Sequence, residues 1–121
     1  MARFARKRAV KASRKRLSLS GTASDRGCRA DGSGRVKSVR VAVARRAGKR
    51  CRFLTGRRGF SRPRSCSKQI FLAAKGTAHW RFAFRGHLVG GRYRAYVRGI
   101  DAAGNVQRRL TGTAIRAFRV R

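Results

Sequence analysis

Along most of this chain, apolar and polar side chains alternate with a period of two. Tyr93, Ala95 and Val97 fall on one side of an extended segment while Arg92, Arg94, Tyr96 and Arg98 fall on the other. That pattern predicts a half-buried strand with one face packed and the other in water. Directly behind it, residues 101–105 supply an aspartate able to bond its own backbone, a glycine, and an asparagine tolerant of positive φ, so a tight reversal follows. Upstream, Leu17 and Leu19 alternate with Ser18 and Ser20, and Val39, Val41 and Val43 line a face opposite Arg40 and small alanines. Residues 51–54 open a further strand and residues 69–73 form a short one. Trp80, Phe82 and Phe84 alternate with Arg81, Ala83 and Arg85, giving the heaviest aromatic wall of the expected core. Phe118 and Val120 alternate with Arg119 and Arg121 in a closing strand. A glycine-rich long turn at 24–34, a reversal at 45–50 around Gly48, and a loop at 55–65 separate these runs. About seven short strands with almost no helical periodicity predict an all-β fold, an antiparallel sandwich.

Residues 1–16 do not share the pattern. They carry Arg3, Arg6, Lys7, Arg8, Lys11, Arg14, Lys15 and Arg16 with only scattered apolar neighbours. A helix there would set like charges beside one another with nothing apolar to pack, so a disordered basic tail is expected. It reads either as a solvated linker or as a nucleic-acid-binding arm. The division is thus a tail over 1–16 and one domain over 17–121, since 121 residues are enough for one core but not two.

The Gly-x-Tyr strand at Gly91 and Tyr93, ending in Asp101-Ala102-Ala103-Gly104-Asn105, resembles the penultimate strand and hairpin of bacterial immunoglobulin-like (fibronectin type III-like) modules. Leu17 to Asp25, the glycine-rich loop, and Val36 to Val43 resemble the opening strands of the same module. Such modules recur near the C-termini of secreted and cell-surface proteins, notably of high-GC actinobacteria. The resemblance implies an immunoglobulin-like sandwich in which Trp80, Phe82, Tyr93, Asp101 and Asn105 are structural. It brings no catalytic residue, because most such modules are spacers or adhesive units. Tyr93 stands where a tyrosine corner would lie, its hydroxyl reaching an upstream backbone carbonyl. Ala95 occupies the place of the antibody-type cysteine, so the likeness is to the bacterial modules and not to antibody domains.

Charge changes the picture next. Thirty-four lysines and arginines against three aspartates leave a formal net charge of +31. Such a surface attracts polyanions, yet with 41% of residues hydrophobic and patterned in strands the charge decorates a fold and does not mark a disordered chain. Arg81, Arg85, Arg92, Arg94, Arg98 and Arg119 are the outward positions expected to meet anionic polymers: wall polymer, nucleic acid or anionic lipid surfaces. No small-molecule substrate and no cofactor are expected. No run of about 18 apolar residues is present to span a membrane as a helix, and no apolar stretch of about 7–15 residues follows Arg8 as in a signal peptide. Two expectations stand side by side. One is a secreted or cell-surface module belonging to a longer exported protein. The other is an intracellular, ribosome- or nucleoid-associated protein whose basic arm tracks phosphates while Tyr96 or Phe60 stacks on bases.

Cys51 and Cys66 bracket a loop with little apolar content, and closing it by a disulfide would contribute roughly 3 kcal/mol. Related modules carry a similar pair flanking this loop, and such a bond implies an oxidising compartment. Cys28 is left over. No Cys-x-x-Cys pair prepares a zinc site with His79 or His87, and Asp25, Asp31 and Asp101, each in its own turn, make a poor calcium cage. Ser65 and Lys68 match Ser-x-x-Lys without its companion motifs. With no glutamate in the chain and neither histidine spaced to a nucleophile, an enzyme is not expected.

Overall fold

The alternating runs form antiparallel strands in the computed structural model, which describes residues 2–6, 8–23, 36–56, 59–107 and 112–121. In chain order these are β1 (Ala2–Phe4), β2 (Val10–Ala12), β3 (Arg16–Ala23), β4 (Val36–Ala47), β5 (Arg50–Phe53), β6 (Leu72–Ala73), β7 (His79–Arg85), β8 (Gly91–Asp101) and β9 (Ile115–Val120). They make two sheets. In one, β3 pairs with β7 on one side and with β1 and β2, end to end, on the other. In the second, β8 lies between β4 and β9, and β4 carries β5 and β6 along its far edge. The all-β sandwich is the architecture that the period-two pattern calls for. The turn expected over 24–34, with Asp25, Cys28 and Asp31, lies outside the described residues.

The inward rows close the core. Leu17 faces Phe84, Leu19 faces Phe82 and Gly21 faces Trp80 across the first sheet. Val39, Val41, Val43, Tyr93, Ala95 and Val97 oppose them from the second, and all six are buried. Gly21 is required where it stands, because a Cβ there would overlap the Trp80 ring and the Arg3 carbonyl oxygen. The bare backbone lets the indole lie flat against the strand and donate its N–H to the Arg3 and Thr22 carbonyls, each at 3.2 Å.

That arrangement corrects the expectation of a disordered tail. Residues 2–4 and 10–12 are edge strands on β3, with Ala2, Phe4 and Ala9 buried. Phe4 meets Trp80 edge to face, with ring centroids 5.4 Å apart. The Gln107 side-chain oxygen accepts the Ala2 and Gly99 amides at 2.8 and 3.0 Å, and its NH2 group donates to the Ala2 carbonyl at 3.4 Å. A Phe4-to-tryptophan contact and a shared glutamine satisfy the edge where the basic residues alone offered nothing to pack.

Tyr93 fixes the other end of the core. Its hydroxyl donates to the Val89 carbonyl at 2.5 Å, and its ring lies between Phe118, stacked at 5.3 Å, and Phe60, edge-on at 5.9 Å. Burial pushes the phenol above its ordinary pKa against the lowering pull of Arg45, so it stays a donor. At the end of β8, Asp101 accepts the Ala103 and Asn105 amides and the Asn105 side-chain NH2, while Gly104 takes the positive φ.

The outer face of the second sheet departs from the expected solvated surface. Ala42, Ala44, Cys51, Phe53 and Tyr96 form a second buried cluster, roofed by Cys66, Ile70 and Phe71 and flanked by Ile115, the partner of Tyr96 on β9. The small alanines leave room, and the segment after β5 folds back through bridges from Cys51 to Arg64 and from Leu54 to Phe60. A Cys51–Cys66 disulfide pins that segment down. Tyr96, expected in water, is 8% exposed.

Candidate polyanion-binding surface

Where the roof ends, the outer face of the second sheet opens into a groove of about 660 Å³. Ala44, Ala117, Tyr93, Tyr96, Phe118 and the two disulfide cysteines line it, with Arg46, Arg92, Arg94 and Arg119. Strand register explains the gathering. Arg92 is the direct cross-strand partner of Arg119, and Arg94 sits two residues along, between Ala117 on β9 and Ala44 on β4. Alanines on both sides keep the floor low, so the guanidinium groups of the longer side chains rise above it. Arg46 is oriented by its Nε–H, which donates to the Gly48 carbonyl at 2.9 Å.

Among the described residues that line the groove, none is acidic. The repulsion is built into the sheets elsewhere as well, since Arg40 opposes Arg98, Arg45 opposes Arg52, and Arg16 opposes Arg85. Like charges directly opposite on neighbouring strands destabilise a sheet, by something on the order of 0.2–1 kcal/mol per pair. An anion laid between such partners turns each repulsion into two attractions. Arginine suits this role because its planar fork can hold a phosphate or carboxylate through two parallel hydrogen bonds.

The six arginines expected to face anions therefore divide. Arg92, Arg94 and Arg119 come together in the groove. Arg85 is on the opposite sheet, where with Lys15 and Arg16 it lines a hollow of about 300 Å³. Arg81 is also on that sheet but in a separate concavity with Lys75 and His79. Arg98 is held over the Phe71 ring at 3.7 Å with its Nε buried, and burial, followed by the nearby Arg40, lowers its pKa. Its place is structural, a cationic lid on the second cluster. Arg46 falls outside a clean alternating run, so alternation does not single it out, while Lys15 and Arg16 belong to the basic segment whose two readings are a linker and a nucleic-acid-binding arm.

Other sequence candidates are placed as follows. His79 and His87 are exposed and sit on separate elements, and the described residues contain no cluster of three or more potential metal ligands. Ser65 shares a hydrogen bond with Ser67 at 2.8 Å within the turn before Lys68, so the Ser-x-x-Lys pattern lies in a turn and not on a helix. Phe60 is half-buried against Tyr93, so neither it nor Tyr96 presents an open ring face for a base. No helix among the described residues is long and apolar enough to cross a membrane.

No protein-family model, curated protein or solved structure matches the chain. The functional reading therefore rests on the groove itself.

Proposed function

We propose that this chain is a non-catalytic, immunoglobulin-like module of a secreted or cell-surface protein that holds anionic polymers on its arginine surface. The observation that carries the binding half is the groove of Arg46, Arg92, Arg94 and Arg119, in which no described lining residue is acidic. The pairing of β8 with β4 and β9 in one sheet, and of β3 with β7 in the other, supports the immunoglobulin-like half. Those are the C–F–G and B–E neighbours of that sandwich. The Tyr93 hydroxyl on an upstream carbonyl fits the same scheme. The Cys51–Cys66 bond supports an oxidising compartment. Contact is made through arginine and the polymer backbone, because the aromatic rings are used inside the fold. Affinity therefore comes from charge, and sequence or monomer identity contributes little.

The test is a salt titration of binding to labelled single-stranded oligonucleotides of differing sequence and to a poly(glycerol phosphate). If about six phosphates are neutralised, the slope of log K against log salt is about −4, and affinity falls about 300-fold between 50 and 200 mM salt. Sequence changes shift it little. A salt-insensitive or sequence-selective interaction, or no binding at all, would refute the reading. Compartment is tested separately by non-reducing mass analysis of protein from its native source, where free thiols at Cys51 and Cys66 would argue against export.

A further inference from the structure

The groove on the second sheet and the Lys15–Arg16–Arg85 hollow on the first lie at the same end of the sandwich. Arg85 closes β7 and Arg16 opens β3, while Arg92 stands at the start of β8 and Arg119 near the end of β9. Between the two sites the Arg14 side chain crosses from one sheet to the other, its Nε–H donating to the main-chain oxygen of Arg121 at 2.6 Å. Gly90 lies beside this clasp, where a Cβ would come into ordinary van der Waals contact with the Arg14 guanidinium and the Val120 and Arg121 backbone. Arg14 and Arg121 thus lie between the Arg16–Arg85 pair on one sheet and the Arg92–Arg119 pair on the other.

From this we infer that the two sites are one: a basic belt around the end of the sandwich that takes a single flexible phosphodiester chain from one sheet face to the other. This rests on the proposed polyanion reading and narrows its ligand. Packed sheets are about 10 Å apart, so the belt must turn through roughly half a circle within a few nucleotide lengths. Duplex DNA, with a persistence length of about 150 base pairs, cannot follow that turn at small cost. A single chain can. Along β8, Arg92 and Arg94 at i and i+2 are about 6.7 Å apart, a spacing that suits a backbone carrying one charge per repeat. The rings that line the groove, Tyr93, Tyr96 and Phe118, are buried or half-buried in the sheet, so contact with bases is expected to add little.

The experiment is calorimetric titration of the full chain, with fluorescence anisotropy of dye-labelled probes, using a ten-nucleotide oligothymidylate, its abasic counterpart and a duplex of equal length. The variants are Arg16→Ser/Arg85→Ser and Arg92→Ser/Arg119→Ser. Each pair consists of cross-strand neighbours, so its removal relieves repulsion and the fold is retained, which circular dichroism checks. One oligonucleotide should bind per protein. Each double variant should keep that stoichiometry, lose about 1.4 from the salt slope and lose about 25-fold in affinity at 0.1 M salt. The abasic chain should bind within about threefold of the thymidylate, and the duplex more weakly. Two oligonucleotides per protein, or a loss confined to one variant pair, would overturn the belt while leaving polyanion binding intact. So would a duplex that binds at least as tightly, and a large loss on removing the bases would overturn backbone-only recognition. Absence of binding to all three probes would remove the underlying function as well.

Discussion

Replacing Trp80 with alanine should cost about 3–5 kcal/mol, the range for truncating a large buried aromatic and leaving a cavity. The ring is 2% exposed, stands over Gly21, touches Phe4 and donates to two carbonyls on different strands. Removing it therefore empties the core and also takes away the contact that seats β1. A midpoint fall of 10 °C or more is the expected scale for a domain of this size. Hydrogen exchange should show the amides of residues 2–4 losing protection beyond the global change. Trp80→Phe separates the two contributions, since it keeps most of the apolar area and loses the N–H bonds. A near-neutral Trp80→Ala variant would mean that the face assignment of β7 is wrong.

Breaking the Cys51–Cys66 bond is the second large effect. The cysteines are 15 residues apart, and closing a loop of that length contributes about 3 kcal/mol in the chain-entropy picture. Here the consequence extends beyond entropy. Cys66 anchors the start of the roof over Ala42, Ala44, Phe53 and Tyr96, and beyond the disulfide the roof's apolar contribution is the half-buried Ile70 and Phe71. The Cys51→Ala/Cys66→Ala variant, or reduction of the wild type, should lower stability by about that amount and expose the Tyr96 side of the sheet to solvent, seen as dye binding and as faster exchange over residues 59–71. Unchanged denaturant midpoints with and without reductant would show that the roof holds by packing alone.

Much of this was legible from alternation, and the failures share a physical origin. β7 and β8 carry long rows in which apolar side chains alternate with arginine, anchored by Trp80, Phe82 and Phe84 on one and by Tyr93 and Val97 on the other, so their inward faces could be read directly. β1 could not, because Ala2 and Phe4 make only one period inside a run of cations, and their burial depends on Trp80, some eighty residues away. Tyr96 was misplaced for a related reason. Period two sorts residues onto two faces, but it does not say whether the second face is covered from elsewhere. Ala42 and Ala44 were the available signal, since small residues on an outward row leave room for something to lie on them. For the arginines, alternation identified Arg92, Arg94 and Arg119 as outward, while pairing register decided that they meet. It also took Arg98 out of the group by setting it over Phe71, and brought in Lys15 and Arg16 from a segment read as tail.

The sole tryptophan is shut inside, with its nitrogen bonded to the strand that carries Phe4. The molecule therefore contains an optical probe of its own. Emission should sit on the blue side while the first strand is docked and shift red as soon as that strand peels away. The ring lines neither the groove nor the Lys15–Arg16–Arg85 hollow, so a ligand held there, as proposed, should leave this emission unchanged, and one spectroscopic channel then follows integrity of the fold while another follows occupancy.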